Sequence, residues 1–392
     1  MNFKFAVMAA AVLGAASTAQ AADLAKKAPA AANYVKVCDA YGAGFFYIPG
    51  SDTCLKIGGY VYAQYGAYKT SAGYGSIGAL SYGTRRGENA ISTGARWNLS
   101  FDARTNTEMG LLRSYIEVQQ TIGSQPWMNG VTGGGVVSLE KAFIQFAGLT
   151  AGRATSMFDF YTGDHLSSIL ETAHSDANVN LLAYTFGFGN GISATLSIED
   201  PSTANTGRRW GTYGPVKNPD YVANINVAQA WGSAQLMGAL HQDTSLAASN
   251  EFGFAVGGGV KVNLPMLGAS DTFGIQAAYS KGALGYVSPD WWAGQDFVVA
   301  GGEIEQTKAW AIAAGLTHGW TKTVSSSLTA SFAKYDGFGA ADYKQYDIGG
   351  NLAWAPVSGL TITGEVEYKK VDFSGAADED ALVGFLRIKR EF

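Results

Sequence analysis

The sequence predicts an all-β protein: a 16-stranded antiparallel transmembrane β-barrel over residues 55–392, behind an export leader. Three observations predict it. Segments about ten residues long alternate apolar with polar side chains, the connections between them are unequal, and the composition departs from that of a soluble domain. Barrel strands alternate because one face meets lipid and the other the lumen. Only a helix or a closed barrel pairs every backbone group inside hydrocarbon.

The composition fits an outer face that meets lipid. Glycine is 51 of 392 residues, or 13%, against about 7% in average chains. Charged residues are 15%, against roughly 25%, and aromatics reach 12%. The first residues read as a leader. Lys4 precedes an uncharged apolar stretch, Phe5 to Ala16, and Ala19-Gln20-Ala21 is a small-x-small cleavage site, the pattern of a secretory signal peptide over residues 1–21. The stretch is too short for a spanning helix of roughly 20 residues, although an N-terminal anchor is the alternative. Cleavage removes one base and no acid, leaving 26 basic against 32 acidic side chains and a net charge of −6. That balance argues against a nucleic-acid partner.

Residues 22–54 form an N-terminal segment holding both cysteines, Cys38 and Cys54. In an exported chain an isolated pair reads as a disulfide rather than a redox or metal site; two unpaired thiols are the alternative.

The strands follow in order. Leu55 to Tyr65 sets Leu55, Ile57, Val61 and Tyr65 against Lys56, Tyr60, Tyr62 and Gln64. Ala95 to Ala103 places Trp97, Leu99 and Phe101 outward, with Arg96, Asn98, Ser100 and Asp102 inward. Leu112 to Gln120 follows a short turn, with Ile116 and Val118 out and Arg113, Tyr115 and Glu117 in. Val137 to Ala147 points Lys141 and Gln145 inward. Glu140 breaks its parity and is expected at the strand end or a subunit contact. Thr150 to Ser156 carries Arg153. Ala177 to Ile198 is the longest tempting run, free of charge, but Gly187 to Gly191 divides it into two alternating strands.

Tyr221 to Ala230 and Ala234 to Gln242 flank a turn at Trp231-Gly232-Ser233. Phe252 to Leu264, Thr272 to Ser280, Lys308 to His318 and Ser326 to Tyr335 come next. Tyr346, Ile348, Leu352 and Trp354 mark the fourteenth strand; Leu360, Ile362, Val366 and Tyr368 mark the fifteenth. Ala381 to Phe392 is the last. Seven connections are short. Gly66 to Glu88, Asp200 to Pro219, Gly282 to Gln306 and Asp372 to Asp380 are long, as external loops are. A soluble sandwich or propeller would also alternate. The nine prolines, the leader and the terminal aromatic strand argue against it.

The run Tyr34-Val35-Lys36-Val37-Cys38, continuing through Gly42-Ala43-Gly44-Phe45-Phe46-Tyr47-Ile48-Pro49-Gly50 to Thr53-Cys54-Leu55-Lys56-Ile57-Gly58-Gly59-Tyr60, resembles the trimeric general porins of alphaproteobacteria. So does the ending Phe385-Leu386-Arg387-Ile388-Lys389-Arg390-Glu391-Phe392. The resemblance covers essentially the whole chain after the leader. It implies a homotrimer in the bacterial outer membrane, among lipid and lipopolysaccharide. A terminal Phe392 read by the barrel-assembly machinery, and a second long loop around Ile122 to Gly135 that reaches a neighbour, are implied with it. Passive diffusion of small hydrophilic solutes is the implied function. Arg390 shares the parity of Phe392 and is expected at the membrane interface.

Sixteen strands leave an open lumen, so selectivity requires a constriction. Met157 to Asn180 is the candidate, and it resembles the inward-folded third loop of general porins. It carries Asp159, Asp164, Glu171 and Asp176, and no Lys or Arg occurs from Ala154 to Gly207. Parity places Arg96, Arg113, Lys141 and Arg153 on the facing wall, since turning those strands over would put cations in lipid. Cations facing carboxylates create a transverse field, and charge at close quarters sets ion preference. With the charge of −6, a mild cation preference is expected. Solvated surface-loop charges are the rival reading of the acids.

Enzyme chemistry finds no support. The four histidines, His165, His174, His241 and His318, lack a flanking nucleophile motif or zinc-ligand spacing. Gly133 to Gly135 and Gly257 to Gly259 lack the Lys of a phosphate loop. No cofactor is implied. The alternative functions are a substrate-selective channel for a sugar or small nutrient, and a structural or adhesive surface barrel.

Overall fold

A computed structural model of the chain describes residues 36–70, 90–123, 136–161, 172–202, 208–288, 294–337 and 342–392. Sixteen strands build its wall. They are β1 Cys54–Thr70, β2 Ile91–Thr107, β3 Gly110–Gly123, β4 Ser138–Phe146, β5 Leu149–Thr155, β6 Asn178–Gly189, β7 Ile192–Glu199 and β8 Asp220–Gln229. The second half is β9 Gly232–Asp243, β10 Glu251–Asn263, β11 Thr272–Lys281, β12 Lys308–Gly319, β13 Val324–Asp336, β14 Tyr343–Val357, β15 Leu360–Phe373 and β16 Glu379–Glu391. Each pairs antiparallel with its sequence neighbours, and β16 returns to β1 from Ala381↔Thr70 to Glu391↔Tyr60. Phe392 completes the seam: its N–H donates to the Gly59 carbonyl (3.1 Å) and the Gly59 N–H donates back (3.2 Å). Closure leaves no unpaired strand edge in hydrocarbon.

The alternation sorts the side chains. In β1, Ile57, Val61 and Tyr65 are exposed on the outer face, whereas Tyr62 and Gln64 are buried on the lumen side. Trp310, Ile312 and Leu316 of β12 and Tyr346, Ile348, Leu352 and Trp354 of β14 continue the exposed apolar band. Such an inversion of the usual inside-out order suits a surface solvated by lipid. The two predicted strands in the charge-free run are β6 and β7. Their turn, Asn190-Gly191, has φ of 52° and 75°, positive at both positions as a two-residue hairpin of the twist-compatible type requires.

Seven short turns lie at one end, and the strand ends joined by the longer connections, such as Thr70 and Ile91 or Glu199 and Asp220, lie at the other. At the short-turn end, Cys38 and Cys54 form a disulfide with Cα atoms 6.0 Å apart. It ties the N-terminal segment to the first residue of β1. Cys38, Phe45 and Cys54 are buried together against Tyr41 and Tyr47.

One irregularity explains an expectation that failed. β3 and β4 pair Glu117↔Lys141 and then Val118↔Leu139, so Glu140 is the extra residue of a β-bulge. A bulge sets two residues against one and re-aims a side chain. Glu140 therefore turns to the lumen beside Lys141, where its carboxylate accepts from Gln119 Nε2 (2.7 Å) and Ser138 Oγ (2.6 Å).

Candidate pore constriction

The connection between β5 and β6 enters the barrel. On its outgoing limb, the Met157 carbonyl accepts from Asn224 Nδ2 of β8 (2.6 Å), and Gln235 Nε2 of β9 reaches the Phe158 and Asp159 carbonyls (both 3.3 Å). The Tyr161 N–H donates to Gln276 Oε1 of β11 (3.0 Å). On the return limb, the Ala173 N–H donates to Ser331 Oγ of β13 (2.8 Å). All of these partners sit at lumen-facing positions, so both described limbs of the loop lie inside the barrel, against β8, β9, β11 and β13.

Small wall residues make room for it. A Cβ on Gly259 would lie 2.6 Å from Phe160 Cδ1, and one on Gly274 would lie 2.6 Å from Tyr161 Cε2. Phe158 is fully buried with Val222, Met237, Ala239 and Ala255. The lumen face of β8 to β11 thus seats the loop on small and apolar side chains while Asn224, Gln235 and Gln276 bond its backbone, which leaves the open passage toward β1–β4 and β16.

The predicted residues take different places on this scaffold. Arg96 faces inward, its Nε donating to Thr121 Oγ1 (2.7 Å) and its guanidinium 5.5 Å from the Tyr62 ring. Arg113 faces inward and grips Asp102 (2.9 and 3.0 Å) and Gln145 (3.0 Å). Lys141 faces inward, beside Glu140.

Arg153 does not join them. It pairs with Ala142 of β4 and Asn180 of β6, both on the outer face. Leu149 and Ala151 share its parity, while the buried Thr150 and Ala154 hold the lumen side. Its Nε donates to the Leu139 and Glu140 carbonyls (2.9 and 3.2 Å), so the bulge supplies the partners that an outward cation needs.

The acids divide as well. The Asp159 side chain is 2% exposed. It accepts from Ser175 Oγ, from the Ala177 N–H (2.7 Å) and from Arg208 Nη2 (3.2 Å). Its charge is matched inside the protein rather than offered to the pore. Asp176 is exposed. Protein crowding around it raises its carboxyl above the ordinary carboxylate range; Asp159 and Glu140 add to the rise, and Lys141 and Arg208 oppose it. Asp164, Glu171 and His165 lie outside the described residues, as do residues 1–35, where the leader is expected.

Further charged side chains reach the lumen from β2 and from β14 to β16. Leu386 and Ile388 face outward, so Arg387 and Lys389 face inward. Arg387 donates to Gln64 Oε1 (2.6 Å) and stacks 4.3 Å from Tyr62, and Lys389 sits 4.6 Å from the Tyr60 ring. Arg104 extends β2 past its expected end, bridges Asp102 (2.7 Å) and lies 4.9 Å from the Phe45 ring. On β14 and β15, Asp347, Glu365 and Glu367 take lumen positions by the same rule, as does one cation, Lys369, opposite Asp347. The lumen is therefore charge-asymmetric, basic along β16 and β1–β4 and acidic along β14–β15 and at Asp176. A recess of about 490 Å³ lies between wall and loop. Arg113, Tyr115, Lys141 and Phe143 line it from the wall, and Met157 and Asp159 from the loop.

A closed barrel whose apolar band faces outward, with charged and polar side chains inside and one loop folded into it, is built to span a membrane. Comparison with known proteins places it. The sequence pattern of the porin subfamily matches residues 23–384. The chain belongs to the porin subfamily. It is 32% identical to porin Omp2b of Brucella suis biovar 1 (strain 1330) and of Brucella abortus (strain 2308), each over all of both chains. The porin fold recurs in the outer membrane channel DcaP of Acinetobacter baumannii, at a TM-score of 0.75 and 18% identity over 88% of this chain and 99% of that one. It recurs in the anion-selective porin from Comamonas acidovorans, at 0.55 and 11% over 87% and 100%. This porin is an integral outer-membrane β-barrel and a channel for passive diffusion, not an enzyme.

Proposed function

We propose that this porin passes small hydrophilic solutes and ions through a constriction between the inward loop and the β1–β4 and β16 wall, with a mild preference for cations. The observation that carries the constriction is the loop's hydrogen bonding to β8, β9, β11 and β13 from inside the lumen. Asp176 beside Lys141, with acids on β14 and β15, supports a transverse field across it. The net charge of −6 after leader removal supports the sign of the preference. The internal Asp159–Arg208 and Asp102–Arg113 pairs keep it mild. Since the Comamonas relative in fold is anion-selective, the fold leaves the sign to side chains. Reversal potentials of purified protein in a KCl gradient test the proposal. A cation-signed potential supports it, and a zero or anion-signed one rejects the preference.

Assembly as a homotrimer, with the second long loop, most of which lies outside the described residues, against a neighbour, belongs to the same proposal and draws on the resemblance of the chain to trimeric general porins. Delivery through recognition of Phe392 is part of the same proposal. A second reading, a channel with a solute site, draws on the recess, where Tyr115 and Phe143 stack at 5.3 Å beneath Arg113. Saturable, concentration-dependent current block by one solute class would favour it.

A further inference from the structure

We propose that Arg208, in the connection between β7 and β8, is the latch that positions the constriction loop and keeps the pore in one open conformation. The inference rests on the reading of the β5–β6 connection as the constriction. It names a residue outside that loop that controls it.

The geometry is that of a clamp. Arg208 is 1% exposed, and its guanidinium touches three chain segments at once. Nη2 reaches Asp159 Oδ1 on the outgoing limb of the loop (3.2 Å), and Nη1 reaches Ser175 Oγ on the return limb (2.8 Å). Nη1 also donates to the Gly285 carbonyl of the long β11–β12 connection (2.5 Å), and the group lies 4.0 Å from the Tyr286 ring. Tyr286 packs edge-on against Phe158, their ring centres 4.9 Å apart, and donates to Asp220 Oδ2 at the start of β8 (2.6 Å). Both limbs of the loop are thus held to one cation, and that cation is held to the wall through a second connection. Ser175 joins the limbs a second time by its own bond to Asp159.

A planar, five-donor group is suited to bridging several acceptors in fixed directions. Removing one partner of a buried ion pair leaves an uncompensated charge, which is strongly unfavourable. Without Arg208, the Asp159 carboxylate must seek water, and the nearest water is the lumen. The limbs then have more than one position, and a constriction with several positions conducts at several levels.

Single-channel recording on purified, full-length Arg208→Met, Arg208→Lys, Asp159→Asn and Ser175→Ala tests this. Retention of the heat-modifiable folded band on gels establishes that the wall is intact. For Arg208→Met we expect the ratio of partly closed to fully open time to rise by about tenfold or more, with voltage closure at lower potential. Arg208→Lys should be intermediate, since an ammonium cannot span both limbs. Asp159→Asn should resemble Arg208→Met, and the double variant should be no worse than either alone. Steady wild-type conductance and noise in Arg208→Met overturn the latch. If Arg208→Met does not fold, the same steady behaviour in Asp159→Asn and Ser175→Ala overturns it equally. A silent Arg208→Met with an Asp176→Asn that still shifts ion preference rejects the latch alone. Silence in both rejects the constriction reading beneath it.

Discussion

Replacing Asp176 by Asn removes one negative charge from the proposed constriction with almost no change in shape. Asp176 is exposed, and its carboxyl feels the charge of Lys141. A unit charge about 4 Å from a passing ion is worth about 1 kcal/mol in bulk water, roughly a fivefold change in local ion concentration where 1.4 kcal/mol is tenfold. Salt screens it over a Debye length of about 10 Å at 0.1 M and about 3 Å at 1 M. The cation-to-anion permeability ratio should therefore fall about two- to fivefold in 0.1 M salt and less in 1 M. Reversal potential in a KCl gradient is the assay. Glu108→Gln, the same charge change in the exposed turn before β3, is the control and should shift little. Asp159→Asn should shift less than Asp176→Asn, because its carboxylate is buried against Arg208. The pH dependence has a defined sign. Since the Asp176 carboxyl is raised, it is neutral at low pH, and the cation preference should appear as pH rises through a midpoint above the ordinary carboxylate range. Asp176→Asn should remove that step. An unchanged potential in Asp176→Asn, or a larger shift in Asp159→Asn, refutes the assignment.

Three further outcomes follow from the architecture. Gly259→Val places a side chain where Phe160 Cδ1 would be 2.6 Å from its Cβ, which pushes the loop toward the pore axis; single-channel conductance should drop, and an unchanged value would mean the loop is not seated there. Converting Cys38 and Cys54 to Ser opens a bridge of sequence separation 16, worth about 3 kcal/mol on the chain-entropy view; the 36–53 segment should become protease-sensitive while the barrel stays folded. Phe392→Ala keeps the backbone bonds to Gly59, so refolding in detergent should proceed normally while the amount of folded barrel in cells falls; equal loss in both settings would assign Phe392 to closure rather than recognition.

The wall was legible because lipid imposes a period of two on every strand, and a single phase error would put charge into hydrocarbon. All sixteen strands follow from that rule, including β6 and β7 in a run that hydropathy alone could take for a helix. Where the rule failed, a local reason exists. Arg153 sits in a strand of only seven residues, too few to fix its phase beside the small Ala151 and Gly152, and its outward partner is a bulge carbonyl on β4. Glu140 broke parity because the bulge adds a residue, which alternation cannot show. Asp159 was misjudged for a different reason. The stretch from Ala154 to Gly207 holds no base, yet Arg208, the next residue, folds back across 49 positions to pair with it. No local pattern encodes a contact between two loops. Arg387 and Lys389 alternate with the outward Leu386, Ile388 and Arg390, so the same period of two encodes their lumen positions.

The central claim is a water-filled passage through a partly obstructed barrel, and planar-bilayer recording of the purified protein tests it most directly. An open passage gives large, stepwise current increments that rise linearly with voltage at moderate potentials. Insertion of folded protein without stepwise conductance would contradict it.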